Sequence, residues 1–233
     1  TTNTFRTAEA TLGVEWLSYT RRAVELAAEA AAGTRVRVAG SIAPLADCYR
    51  PDMSPAKEHP AQTYRAHAQM AEALADGSDL ILCETFPSID EAVLAARAAC
   101  RTGKETWVAL TAGPGIPLLT AEDMREGAKR LVDEGVSALL VSCSPALDCQ
   151  DYVVALANLG VPSGVYANAG VADSESGFRS DPRAAPAQYL SFAIKWREAG
   201  AAIIGGCCGT RPGHIKALNE NRRGLSVLAS NDA

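Results

Sequence analysis

The sequence predicts an α/β fold, a (β/α)8 TIM-type barrel truncated at its N-terminal side, with about six complete strands. Three observations predict it. Short β-rich runs alternate strictly with helical stretches. Their spacing clusters near the ~30 residues of a βαβ unit. Polar or thiol residues also mark the C-terminal ends of the runs, at Ser41, Glu84, Thr111, Cys143, Asn168 and Cys207-Cys208. In a parallel barrel such ends converge on one mouth. The competing arrangement is an open doubly wound sheet, but no glycine-rich phosphate fingerprint follows an early strand to support it.

The predicted strands are Val36–Ala39, Leu80–Cys83, Trp107–Leu110, Ala138–Val141, Val161–Tyr166 and Ala202–Ile204. Helical periodicity covers residues 8–32, with Leu12, Trp16, Tyr19 and Val24 near helical spacing and Gly33 as the stop. It returns over His59–Ala75, Ile89–Cys100, Ala121–Val132, Asp151–Leu159, Ala187–Ala199 and His214–Asn219. Gly77, Gly103, Gly135, Gly160 and Gly200 each stand between a helix and the next strand, which suits a left-handed helix stop. The leading helix has no strand before it, and Thr1–Phe5 reads as the tail of one. The chain is therefore expected to lack the first βα unit and most of the second strand, leaving two unpaired sheet edges. Asp173–Pro186 is polar and punctuated by Gly and Pro, so a lid or a long βα loop is expected there.

A length of 233 residues fits one domain over 1–233, and 48% hydrophobic content supports a sizeable core. No apolar run reaches the ~20 residues of a membrane span. A net charge of -5 without a basic stripe argues against a nucleic-acid partner. No secretory leader pattern is present, and a reducing cytoplasm is the expected compartment. The seven cysteines lie mostly within strand-like or helical segments, favouring thiols or metal ligands over a disulfide framework. Nothing in these residues specifies an oligomeric state.

The chemistry concentrates at Gly205-Gly206-Cys207-Cys208-Gly209-Thr210. Adjacent side chains on a strand point to opposite faces, so two neighbouring thiols share a target only where the strand ends and bends. Gly206 and Gly209 permit that bend. Cys143 ends a strand two strands earlier, so three thiols from two strand tips can meet at one mouth. Zinc accepts such a set, with a fourth position open. Three thiolates suit the activation of a further thiol better than the making of hydroxide. The plainer alternatives are a packed buried Cys143 and a redox dithiol, although CxxC is the usual redox spacing. Cys48, Cys83, Cys100 and Cys149 read as structural, and His214 as the start of the last helix.

The Gly-Gly-Cys-Cys-Gly-Thr run with Pro212 and His214-Ile215 resembles the C-terminal signature of the homocysteine S-methyltransferase family. Thr2-Asn3-Thr4-Phe5, Gly40-Ser41-Ile42-Ala43-Pro44, Glu84-Thr85, Cys143 and Tyr166-Ala167-Asn168-Ala169-Gly170 follow in family order. The resemblance implies a zinc-dependent barrel that methylates the thiol of homocysteine to give methionine, with Cys143, Cys207 and Cys208 as Zn2+ ligands. It implies Glu84 as acceptor for the substrate amino group, with Asn168 and Ser41 as further substrate-binding residues and no catalytic residue beyond the metal ligands. Tyr166 is expected either at the same mouth or in the strand core. Three departures stand out: no Asp-Gly-Gly motif, Ser142 where the family usually has Asn, and Arg6 where the betaine-using branch has a metal-capping Tyr. They favour a sulfonium donor such as S-methylmethionine. A betaine or other donor, or a non-catalytic zinc-stabilised barrel, is the alternative.

Overall fold

The computed structural model describes residues 13–114, 118–173 and 177–222. Strands and helices alternate through them: α1 (Trp16–Ala31), β1 (Ala39–Ile42), α2 (Pro60–Ala75), β2 (Leu80–Phe86), α3 (Ile89–Cys100), β3 (Glu105–Leu110), α4 (Ala121–Asp133), β4 (Ala138–Pro145), α5 (Gln150–Leu156) and β5 (Ser163–Asn168). There follow β6 (Gly170–Asp173), β7 (Gly177–Ser180), α6 (Pro186–Glu198), β8 (Ala201–Gly206) and α7 (Pro212–Glu220). The chain forms two compact units. One is Thr1–Leu110 with Lys129–Ala138; the other is Thr111–Ala128 with Leu139–Ala233.

In the first unit the strands are parallel in the order β1-β2-β3, with Ala39 opposite Leu80 and Leu80 opposite Glu105. α3 presents Ala92, Ala95, Ala96 and Ala99, all fully buried, at helical spacing. Ser88 caps its N-terminus, its Oγ accepting the Glu91 N–H at 3.5 Å. In the second unit the parallel order is β4-β5-β8, with Leu139 opposite Ser163 and Val165 opposite Ile204. Ala138 to Ser144 are buried without a break, as expected for a strand covered on both faces. The α/β class and the six parallel strands agree with the sequence reading.

Several details differ. The first strand begins at Ala39 rather than Val36, which is 68% exposed. The Val38 N–H is taken by Asp79 Oδ2 at 2.7 Å, and strand pairing starts one residue later. Gly77 lacks the positive φ that Gly103, Gly135, Gly160 and Gly200 adopt. Its glycine answers to space instead, since a Cβ there would lie 2.5 Å from Val24 Cγ1. The helix expected to reach Leu159 stops at Leu156. Overlapping the stretch expected as a lid or loop, two short strands pair antiparallel, β6 with β7, Gly170 opposite Ser180 and Asp173 opposite Gly177. The readings on Thr1–Phe5, Arg6 and the first turns of the leading helix lie outside the described residues.

Candidate active site

The second unit carries the thiols. β4 pairs regularly with β5 as far as Ser142 opposite Tyr166, then slips register before Pro145 meets Asn168. Within the slip Cys143 takes a left-handed backbone, φ 51. A bulge of this kind re-aims one side chain at some cost in backbone energy, so neighbours must hold it. Two hydroxyls do so. Thr111 Oγ1 donates to the Cys143 carbonyl at 3.4 Å and accepts the Gly113 N–H at 3.1 Å. Ser144 Oγ donates to the Ser142 carbonyl at 3.1 Å and accepts the Ala112 N–H at 3.0 Å.

β8 delivers the other two thiols. The Cys207 N–H donates to the Ala167 carbonyl at 2.9 Å, and the Cys208 N–H to Asn168 Oδ1 at 3.2 Å. The Ala169 N–H closes the exchange on the Cys208 carbonyl at 2.9 Å. The chain then doubles back, with Thr210 Oγ1 donating to the Cys207 carbonyl at 2.6 Å. The two glycines serve this turn differently. Gly209 has φ 78, whereas Gly206 has no positive φ and is needed because a Cβ would sit 2.5 Å from Thr210 Cγ2. The expected conformational role thus holds for Gly209, and Gly206 is a matter of close approach.

These turns bring the sulfurs together. Cys143 Sγ lies 3.1 Å from Cys207 Sγ, which lies 3.9 Å from Cys208 Sγ. Cys143 is buried, and Cys207 and Cys208 are half-buried. The contact with Cys143, burial and the charges of Cys143 and Cys208 push the Cys207 thiol far above its ordinary value. Burial, then the charge of Cys143, raises that of Cys208. Three thiolates so placed need a cation among them. Zinc–sulfur bonds of about 2.3 Å in tetrahedral geometry set sulfur–sulfur separations of about 3.8 Å. The Cys207–Cys208 spacing matches that, and the Cys143–Cys207 spacing is tighter. Among the described residues, no three His, Cys, Asp or Glu side chains stand in a ready metal-holding group. The donor set fits zinc chemically once Cys143 and Cys207 part slightly.

Asn168 is 2% exposed; its Oδ1 is used by Cys208, and its Nδ2 has no hydrogen-bond partner. Tyr166 is half-buried two residues earlier on the same strand. Ser41 and Glu84, expected to bind substrate, meet within the first unit, where Ser41 Oγ donates to Glu84 Oε1 at 2.6 Å. Glu84 stands at a second register slip, between Cys83 and Phe86, beside Thr85 at φ 64. Cys83 is fully buried and Glu84 half-buried, as their alternation on the strand implies. Cys149 is fully buried, with Sγ 3.3 Å from the Pro145 carbonyl, in keeping with a structural role. His214 lies in the first turn of α7, its Nδ1 accepting the Arg211 N–H at 3.0 Å. Ser144 is not legible as a site residue, because its hydroxyl serves only backbone groups, those of Ser142 and Ala112.

The site so defined is a parallel α/β unit that brings thiols from two strand ends to one locus. A family model described as Homocysteine S-methyltransferase matches residues 1–222, and the chain belongs to that family. The Escherichia coli (strain K12) homocysteine S-methyltransferase is 32% identical over 214 residues, 84% of this chain and 66% of that protein. Homocysteine S-methyltransferase YbgG of Bacillus subtilis (strain 168) is 28% identical over 69% of this chain and 52% of its own. The selenocysteine Se-methyltransferase of Brassica oleracea var. italica is 27% identical, covering 72% and 51%. The chain spans about half the length of the first curated relatives it matches. Among the described residues, no helix is long and apolar enough to cross a membrane.

Proposed function

We propose that this chain provides the thiol-activating part of a zinc-dependent homocysteine S-methyltransferase, acting as one domain over residues 1–233 and using a sulfonium donor of the S-methylmethionine type. The observation that carries the reading is the cluster of Cys143, Cys207 and Cys208 at the ends of β4 and β8. When bound there, zinc would lower the pKa of the acceptor thiol and keep it electron-rich.

The chain's own residues would do the rest. The bulge at Cys143 and the turn at Cys207-Cys208 would hold the three ligand sulfurs at one locus. Asn168 Nδ2, buried and unpartnered, is a donor available to a polar group of the amino-acid substrate. Glu84, to which Ser41 Oγ donates, is assigned to the substrate ammonium on the family resemblance. In the transfer, the acceptor sulfur forms a bond to the methyl carbon as the carbon–sulfonium bond breaks. The donor leaves as a neutral thioether, and the acceptor's proton passes to solvent. Positioning supplies much of the rate, and no separate base is required.

The test is a methyl-transfer assay with homocysteine and sulfonium or quaternary-ammonium donors, alongside zinc stoichiometry. Methionine formed with a sulfonium donor, lost together with zinc in Cys207→Ala, is expected. A Cys207→Ala protein that kept tight stoichiometric zinc would overturn the ligand set. Zinc without transfer to homocysteine from any donor would overturn the enzymatic reading.

A further inference from the structure

Tyr189, on α6, is fully buried. Its Oη lies 2.8 Å from the Gly205 carbonyl and 3.0 Å from the Ala167 carbonyl. A phenol has one proton, so it donates to these two acceptors in alternation and ties the end of β5 to the end of β8. Both acceptors matter. The Ala167 carbonyl also receives the Cys207 N–H, and Gly205 lies two residues before Cys207 on the strand that delivers it. The hydroxyl is thus one hydrogen bond away from the Cys207 backbone.

The ring is held as firmly as its oxygen. Trp196 meets it edge-on at 5.5 Å between centroids and 83°, and His214 at 5.5 Å and 88°. His214 cannot turn freely: Nδ1 accepts from Arg211 and Nε2 lies 3.0 Å from the Ala184 carbonyl, which leaves the proton on Nε2. Packing alone would be served by phenylalanine. A buried hydroxyl carries a desolvation cost that an apolar ring avoids, and here it is offset only by the rung it makes beneath the thiols.

We propose that Tyr189 is a positioning residue that sets the spacing of Cys207 and Cys208 against Cys143 and Asn168. The proposal rests on the reading of the three thiols as a metal site. Its test compares cobalt(II) binding, followed by the thiolate-to-metal absorption, in the full chain and in Tyr189→Phe and Trp196→Phe, with melting temperature and kinetics alongside. Tyr189→Phe is expected to fold and to bind cobalt about 10–100-fold more weakly, as loss of an outer hydrogen bond does at metal sites. Its absorption should be altered, and kcat should fall more than KM for homocysteine rises. Trp196→Phe, which loosens the same packing but keeps the hydroxyl, should melt lower with unchanged cobalt affinity. Wild-type affinity and spectrum in Tyr189→Phe would overturn the proposal alone. So would equal weakening in Trp196→Phe, since packing would then carry the effect. A wild-type chain that binds no cobalt, or a Cys207→Ala chain that binds it as tightly, would overturn the metal-site reading and this proposal with it.

Discussion

Cys143 and Thr85 are two non-glycine residues with left-handed backbones at the ends of buried strands, and each sits where a strand slips register. Such a conformation persists only where its surroundings over-determine it. For Cys143 the constraint comes from Ser144 and Thr111. Ser144→Ala would leave the Ala112 N–H buried without its partner, at a cost of about 1–3 kcal/mol. Urea denaturation should show this, and cobalt affinity should fall with it if the bulge aims the thiol. Removing the Glu84 charge by Glu84→Gln should raise KM for homocysteine and leave metal content unchanged, because Glu84 is assigned to the substrate ammonium. The cysteines were legible in the sequence because adjacent thiols among glycines at a strand end have few structural uses. Ser144 and Tyr189 were not, since their partners are main-chain carbonyls and amides, and any residue supplies those.

At the level of elements, the insertion after β1 is fastened to α3 by one buried carboxylate. Glu91, 1% exposed, accepts the Leu45 N–H at 2.7 Å and the Ser54 hydroxyl at 2.6 Å, and lies 3.3 Å from His67 Nε2. Burial opposes its ionisation, but the hydrogen bonds with His67, Leu45 and Ser54 outweigh burial and hold its carboxyl below the ordinary 4.5. A depressed carboxyl contributes stability that is present above the unfolded value and lost as pH falls through the folded one. Glu91→Gln should therefore be less stable than the parent near pH 7, by about 1–3 kcal/mol. The gap should close as pH drops below 4.5, which denaturant titrations across that range would reveal. A gap constant with pH would mean that shape rather than charge matters there. Helix extents were mostly legible, and Ile89–Cys100 appears as read, because periodicity and capping agree. The β6–β7 pair was not. Its strands have four residues each, Gly170–Asp173 and Gly177–Ser180, too few for a period-2 pattern to stand out, and their pairing is made by backbone groups.

For the whole molecule, the alternation of strand and helix made the α/β class plain, whereas closure into a barrel depends on pairings that hydrophobic pattern does not specify. Among the described residues β1 pairs on one side only, with β2, and β8 on one side only, with β5. The thiols nevertheless all stand in one unit, together with Asn168, Tyr189 and the turn that follows β8. A metal held by those thiols alone binds the folded chain and stabilises it by mass action. At a free concentration 100 times its Kd the gain is about 2.7 kcal/mol. A melting temperature about 5–11 °C higher should accompany it for a chain of this size. Hydrogen exchange can locate the effect. The largest gains in protection on adding zinc are expected at Val141–Ser144, Ala167–Ala169 and Cys207–Thr210, where backbone hydrogen bonds tie the thiol-bearing segments together. Cys207→Ala should abolish both the rise in melting temperature and these gains. A zinc-induced gain concentrated instead on α1 or β1 would place the ion elsewhere, and the three cysteines would then be packing residues.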